Sequence, residues 1–568
     1  MTSPDSPPPA HPQLPHPTSS ARIRAINLFI VGLLTFSLSW LIWDRTNISP
    51  SSPSSDPTPS TKKTPTSPAF QTSVDKIDQA FEKSWRQAKI PPVATASPLT
   101  IARRLSLALT GTIPSLEEIR TLEQQPVADQ VQIHLSKIFQ DQRWSDYVSE
   151  RFARSYVGTI EGPFLVYRRR RMVDWLSEQL FANRHYDQLV RQLITAKGIW
   201  TSKPEVNFVT VTIDPNNDEK GPSEAKLAAR VSRAFLGIRI DCMECHNDKF
   251  GDRWKQRDFH QLAAFFGEAE MSLTGVRDNH DNTYQYRFRG KKEAQPVDAV
   301  APFSPDLMPA SGSPRHRLAQ WVTHKKNRPF ARSTVNRIWA ILFNKPLVEP
   351  IDNIPLDGPW PEAMEILTDE LISHDFDLQQ LIRVITASKA FQLDSRSSDP
   401  NHPISKKHEE HWAAFPLTRM RPEQVARSVI QAASLTTIDA HSHVIQRLMR
   451  FIQQSNFVKR YGDPGEDEFA ELGGTIPQRL LLMNGELVRK RTGENPFLNA
   501  STRIGILTAD NQKAVEISYL SIFTRLPEKN EKSYFTELLA TLKNKNRSQA
   551  MEDLFWVLIN STEFSWNH

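Results

Sequence analysis

The sequence predicts a mainly α-helical protein, a two-domain extracytoplasmic multi-helix body with minor β near residues 206–213 and 271–302, preceded by one transmembrane helix. Three observations predict this. Glycine is scarce, at 20 of 568 residues. Apolar residues recur at helical rather than alternating spacing in segment after segment. One uncharged apolar run lies close to the N-terminus.

That run, residues 25–43 (AINLFIVGLLTFSLSWLIW), reaches about 28 Å as a helix, close to the hydrocarbon thickness of a bilayer. Arg22 and Arg24 precede it, whereas Asp44 and Arg45 after it cancel, so residues 1–24 are expected in the cytoplasm and the body outside. The run is longer than a usual signal-peptide core and no Ala-x-Ala-like site follows Trp43, which favours an uncleaved anchor in the inner membrane with the body in the periplasm. Residues 44–70 are rich in Ser, Thr and Pro without apolar periodicity and read as a tether. The rest divides into a helical domain at 71–270, a polar junction at 271–302 and a C-terminal helical domain at 303–568.

Within the first domain, Leu99, Ile101, Leu105, Leu107 and Leu109 form an apolar stripe, TGTIP breaks it, and Ser115-x-x-Glu118 reads as a capping box opening the next helix. The same grammar of helix, short turn, proline and acidic helix start returns at 519–527, and each unit later ends in an aromatic-rich helix. Internal duplication and chance recurrence of turn chemistry are both open readings. Residues 206–213 (VNFVTVTI) alternate as a strand would. The 271–302 stretch is polar around Tyr284, Tyr286 and Phe288 and reads as a long loop or short β excursion.

The chain's two cysteines form Cys242-Met243-Glu244-Cys245-His246. In a c-type haem, two thiols at this spacing form thioethers to the porphyrin and the adjacent imidazole is the proximal iron ligand. Candidates for the sixth ligand within loop reach are Met271, His260 and His280. Three alternatives remain open: a Cys242–Cys245 disulfide with His246 incidental, a metal site adding Asp248 or Asp252, and a free dithiol. An amphipathic helix around 223–239 leads into the motif, and 257–266 forms another behind it.

The run from Arg230 to His246, followed by Asp252-Arg-Trp-Lys-Gln and Leu262-Ala-Ala-Phe-Phe266, resembles a planctomycete cytochrome-associated family of unknown function catalogued as fifteen-forty-nine. Segments 103–114 and 175–193 carry the same likeness. The C-terminal half resembles its partner family, fifteen-fifty-three, at 315–321, 327–339, 476–484 and 560–564. The first family usually continues Cys-His-Asp-His-Pro-Phe-Asp, whereas here Asp248 replaces the second His and one residue is inserted before Asp252. The resemblance implies association with cytochromes, with no activity attached.

Other features are less specific. Arg168 to Arg171 could grip an acidic glycan or line a solvated helix face. His408-Glu-Glu-His411 has its histidines three apart, one short of a zincin motif, and reads as a charged surface. Arg332, Asn336, Arg337 and Trp339 align on one helix, where they line a cleft or tie the helix to its neighbours. Net charge is +6, yet an exported protein meets no nucleic acid. The sequence points first to a membrane-anchored, periplasm-facing redox protein carrying haem c and meeting a redox partner protein. The alternatives are a disulfide-containing envelope scaffold and a metal-dependent enzyme acting on polysaccharide-derived substrates.

Overall fold

The computed structural model describes residues 68–568 apart from 160, 162–166, 215–220, 249–252, 398–402, 440–441, 463–464, 466–468, 470–474, 496–498 and 543–544. The sequence-predicted span at 25–43 lies outside the described residues. Among these, no helix is long and apolar enough to cross a membrane.

Helices dominate, and their ends are set by local chemistry. Ser97 accepts from the Thr100 amide at 3.2 Å with Pro98 opening the helix Pro98–Thr110. Gly111 closes it at φ 69°, where an added Cβ would sit 2.4 Å from the Tyr147 ring. The capping box forms as the sequence predicts: Ser115 accepts from the Glu118 amide at 3.0 Å, and Glu118 accepts from the Ser115 amide at 2.7 Å.

The Pro98–Thr110 helix is more than amphipathic, because every residue from Ile101 to Thr110 is buried. Ile101, Leu105 and Leu109 join a core cluster that runs from Phe70 to Phe415, while Leu107 joins a second cluster that runs on from Met420 to Phe564. Its two arginines staple these regions. Arg103 donates to the carbonyls of Ile522 and Phe564 at 3.0 and 3.3 Å. Arg104 donates to His568, Phe391 and Leu393 and stacks over Phe415. A buried guanidinium is tolerated here because carbonyls receive its protons. The two helical hairpins of similar turn grammar therefore lie against each other. All described residues fall within one compact unit, Pro65–His568.

The strand expected at 206–213 does not form. Pro204–Val206 is a 3-10 turn continuing into the helix Asn207–Thr210. Residues 206–210 are all buried, so no solvent face exists for alternation to serve. Asn207 closes the turn by donating to the carbonyls of Trp200 and Pro204 and accepting from the Arg168 amide at 2.7 Å.

β structure does occur at the junction. β1 (Ala269–Ser272) and β2 (Gly275–Asp278) make an antiparallel hairpin, followed by the short pair β3 (Gln285–Tyr286) and β4 (Gln295–Pro296). Gly275 is required by its φ of 95° and by the Gly198 carbonyl, which a Cβ would meet at 2.0 Å. The hairpin is moored by Arg315, whose guanidinium reaches Asp278 at 2.5 Å with both side chains at most 2% exposed. A last pair, β5 (Thr418–Arg419) with β6 (Trp566–Asn567), ties the chain's end to its middle.

A braced Cys-x-x-Cys-His turn as the candidate functional site

Ser223 caps the helix Glu224–Ala234, which buries Leu227, Ala228 and Val231 and feeds the chain through Ile238 and Ile240 into the motif. There the backbone forms a 3-10 turn, Asp241–Glu244, with Cys245 at its end. Side chains three apart eclipse in a 3-10 turn, so Cys242 and Cys245 leave the backbone from one edge. Both thiols are free and exposed, while Met243 between them points inward at 6% exposure and anchors the turn in the core.

The turn is braced from beneath. The Glu244 carbonyl accepts from Gln256 Nε2 at 3.0 Å, His260 Nε2 at 3.0 Å and the Tyr286 hydroxyl at 3.1 Å. Gln256 also holds the motif's tail, its backbone amide donating to Asn247 Oδ1 at 2.8 Å. His260 stacks on Tyr286 with ring centroids 3.4 Å apart, and Phe288 meets both rings edge-on. Tyr284, Tyr286 and Phe288 are half-buried while residues 283, 285 and 287 are exposed, a period of two that was already visible in the sequence as YQYRF.

The contacts of His260 define its tautomer. A carbonyl only accepts, so His260 carries its proton on Nε2 toward Glu244, and Nδ1 must accept from the Tyr284 hydroxyl at 2.8 Å. Burial holds this ring below the ordinary imidazole range, keeping it neutral. His246 is oriented the other way round: Nδ1 donates to the Asn247 carbonyl at 2.7 Å, so Nε2 is the nitrogen turned away from the backbone. Burial, reinforced by Cys245 and Glu244 nearby, pushes the Tyr286 hydroxyl above its usual range.

The three candidate sixth ligands sit in different surroundings. His260 has both ring nitrogens engaged by Tyr284 and Glu244. Met271 lies in β1, half-buried against the core. His280 faces solvent with Nδ1 2.9 Å from Glu268. Asp248 holds its amide to the Trp254 carbonyl at 2.9 Å, and Asp252 lies outside the described residues. Among the described residues no three His, Cys, Asp or Glu side chains converge to hold a metal ion.

The weaker motifs resolve into local structure. Arg169 is buried on Glu150 and the Gly158 carbonyl, and Arg170 pairs with Asp174 one turn on. His408 caps Ser405, and His411 meets the Ser84 hydroxyl at 2.9 Å. In the Arg328–Phe343 helix, Arg332 pairs with Glu365 and lies over Trp360, Asn336 exchanges two hydrogen bonds with the Val348 backbone, and Trp339 stacks on Phe343.

The fold and site define a mainly helical protein that presents two thiols and an imidazole on one rigid surface turn. Residues 76–271, which contain that turn, match the model of a protein of unknown function, DUF1549 (PSCyt2), and residues 314–461 match another, DUF1553 (PSD1). These two regions match the paired families that the resemblance in the motifs led us to expect. No curated protein and no solved structure matches it.

Proposed function

We propose that the protein is a redox protein that carries one c-type haem on Cys242, Cys245 and His246. The observation that carries this reading is the pairing of two free, exposed thiols, one within a 3-10 turn and one at its end, with an adjacent imidazole held by Nδ1. Covalent attachment needs both sulfurs reachable from one side, and iron ligation needs an unprotonated nitrogen held in orientation by its partner nitrogen. A haem so bound supplies one-electron transfer. The chain's own part is to hold the turn rigid through the three donors on Glu244 and to present Tyr286 and Phe288 beside it. In this reading residues 25–43 anchor the protein in the inner membrane and the body faces the periplasm, where thiol-to-haem attachment takes place.

The test is the full chain expressed in a host with haem-maturation machinery. The expected result is a Soret band that survives denaturation, because thioethers do not dissociate, and that disappears in C242S/C245S. A polypeptide lighter by two protons and without the band would establish a Cys242–Cys245 disulfide instead and overturn the haem reading.

A further inference from the structure

The helix that feeds the cysteine turn also forms one wall of a cavity of about 810 Å³. Its other walls are the end of the helix Gln142–Val157, the helix Arg328–Phe343 and the loop carrying Glu349 and Asp352. Residues of both family regions thus enclose it. Six cations line the cavity, Arg154, Lys226, Arg230, Arg233, Arg239 and Arg337, against the carboxylates of Glu349 and Asp352. Asp352 is already engaged by Arg233 at 2.8 Å and Arg239 at 3.8 Å. Arg154 meets Glu150 at 3.3 Å, and Arg230 donates to the Tyr156 carbonyl at 2.7 Å.

Arg337 differs from these. It is 6% exposed, and among the described residues it is the one buried arginine with neither a hydrogen bond nor an ion pair. Its charge is felt by the hydroxyls of Tyr156 and Tyr186, which donate nothing to it. None of its nitrogens is both sealed from solvent and unpaired, so the fork opens on the cavity rather than into packed protein. Arg332, one turn earlier on the same helix and equally buried, has its carboxylate in Glu365. A guanidinium that no protein group contacts, opening on a cavity, is the arrangement of a binding group for an anion.

The geometry points to a small organic anion as the occupant of this cavity, one oxyanion group received by the Arg337 fork and a second by the Lys226, Arg230 and Arg239 side. The guanidinium fork matches carboxylate, phosphate and sulfate alike. The volume is far beyond the roughly 30 Å³ share of a water and falls in the range of organic-ligand sites, about 300–1,000 Å³. Ala229, Ala234, Pro346 and Ile351 supply an apolar complement for a carbon skeleton. Excess positive charge on low-dielectric walls raises the local concentration of such a ligand. The inference is independent of the cysteine chemistry.

The experiment titrates the full chain with citrate, fructose 1,6-bisphosphate and a disaccharide bearing one carboxylate and one sulfate ester, by calorimetry and thermal melting. The result expected is saturable binding of at least one of them, weakened by salt, and the responding arm names the oxyanion. R337M is expected to weaken that binding about 10–100-fold, the loss of one charge-assisted contact. Without ligand it should melt at or above the wild-type temperature, because no protein contact of the guanidinium is lost and the methionine keeps the apolar stem. A purely structural arginine would do the reverse. Failure of all three probes to bind at millimolar concentration, unchanged binding by R337M, or a ligand-free melting temperature below wild type would each overturn the proposal. Should R337M not fold, R239Q on the half-exposed side decides: weaker binding supports the site and unchanged binding overturns it.

Discussion

The cysteine turn and the Arg337 cavity are joined by a single helix, Glu224–Ala234, yet they are built on opposite plans. At the turn, the reactive groups face solvent and the backbone beneath them is fully satisfied, with three donors on one carbonyl. At the cavity, the backbone is ordinary helix and the side-chain charge is turned inward without a partner. The first plan stores rigidity beneath a surface site, so its stability is indifferent to the groups on top. The second holds a charge that no protein group contacts, so binding rather than folding depends on it.

Four measurements press on this contrast. The largest effect is expected from a buried cation that does have a partner. R315A leaves the 2%-exposed Asp278 with only Lys197 and should destabilise the protein by about 3–5 kcal/mol in chemical denaturation, a loss R337M should not show. If R315A behaves like a surface substitution, burial and pairing do not separate the arginines of this chain.

Next comes pH. Burial holds His134 and His260 below the ordinary imidazole range. The unfolded chain therefore binds these protons more tightly than the folded one. Stability is full above about pH 6.5 and falls as pH drops below it, by at most about 1.4 kcal/mol per unit for each fully buried ring. Comparing wild type with H134Q between pH 7 and 5 should show the shallower slope in the variant; parallel slopes would refute the assignment. At His260, protonation would turn Nδ1 from acceptor to donor against the Tyr284 hydroxyl, loosening the floor of the turn.

A smaller effect is expected from Y286F. Loss of one of three donors on Glu244 should cost about 0.5–1.5 kcal/mol. Faster amide exchange at residues 241–246 should accompany it, and an unchanged rate would show that the brace is redundant. The smallest belongs to C242S/C245S, which should stay within about 0.5 kcal/mol of wild type because both thiols are exposed.

Legibility in the sequence followed the range of the interactions. The Ser115–Glu118 box and the helix before the motif were readable because their partners lie within a turn. The motif was readable because two thiols and an imidazole at fixed spacing are a complete local chemistry. VNFVTVTI was misread because its alternation describes a half-exposed surface, and this segment is buried all round, where Asn207 satisfies a turn no strand requires. The stripe Arg332, Asn336, Arg337 and Trp339 was visible as a stripe only. Which member would be paired, which would bond to backbone and which would face a cavity depended on Glu365, Val348 and residues more than a hundred positions upstream.

By itself, the sequence determined the helical class, the caps, the pair of families and the position of the thiols, since propensity, capping and motif spacing act over a few residues. Tertiary structure alone decided that the thiols lie outside on a pinned turn, that Arg103 and Arg104 staple two cores, and that Arg337 lacks a counter-charge. Burial and electrostatic pairing are properties of what packs against a residue, and those neighbours come from segments that composition and periodicity cannot bring together.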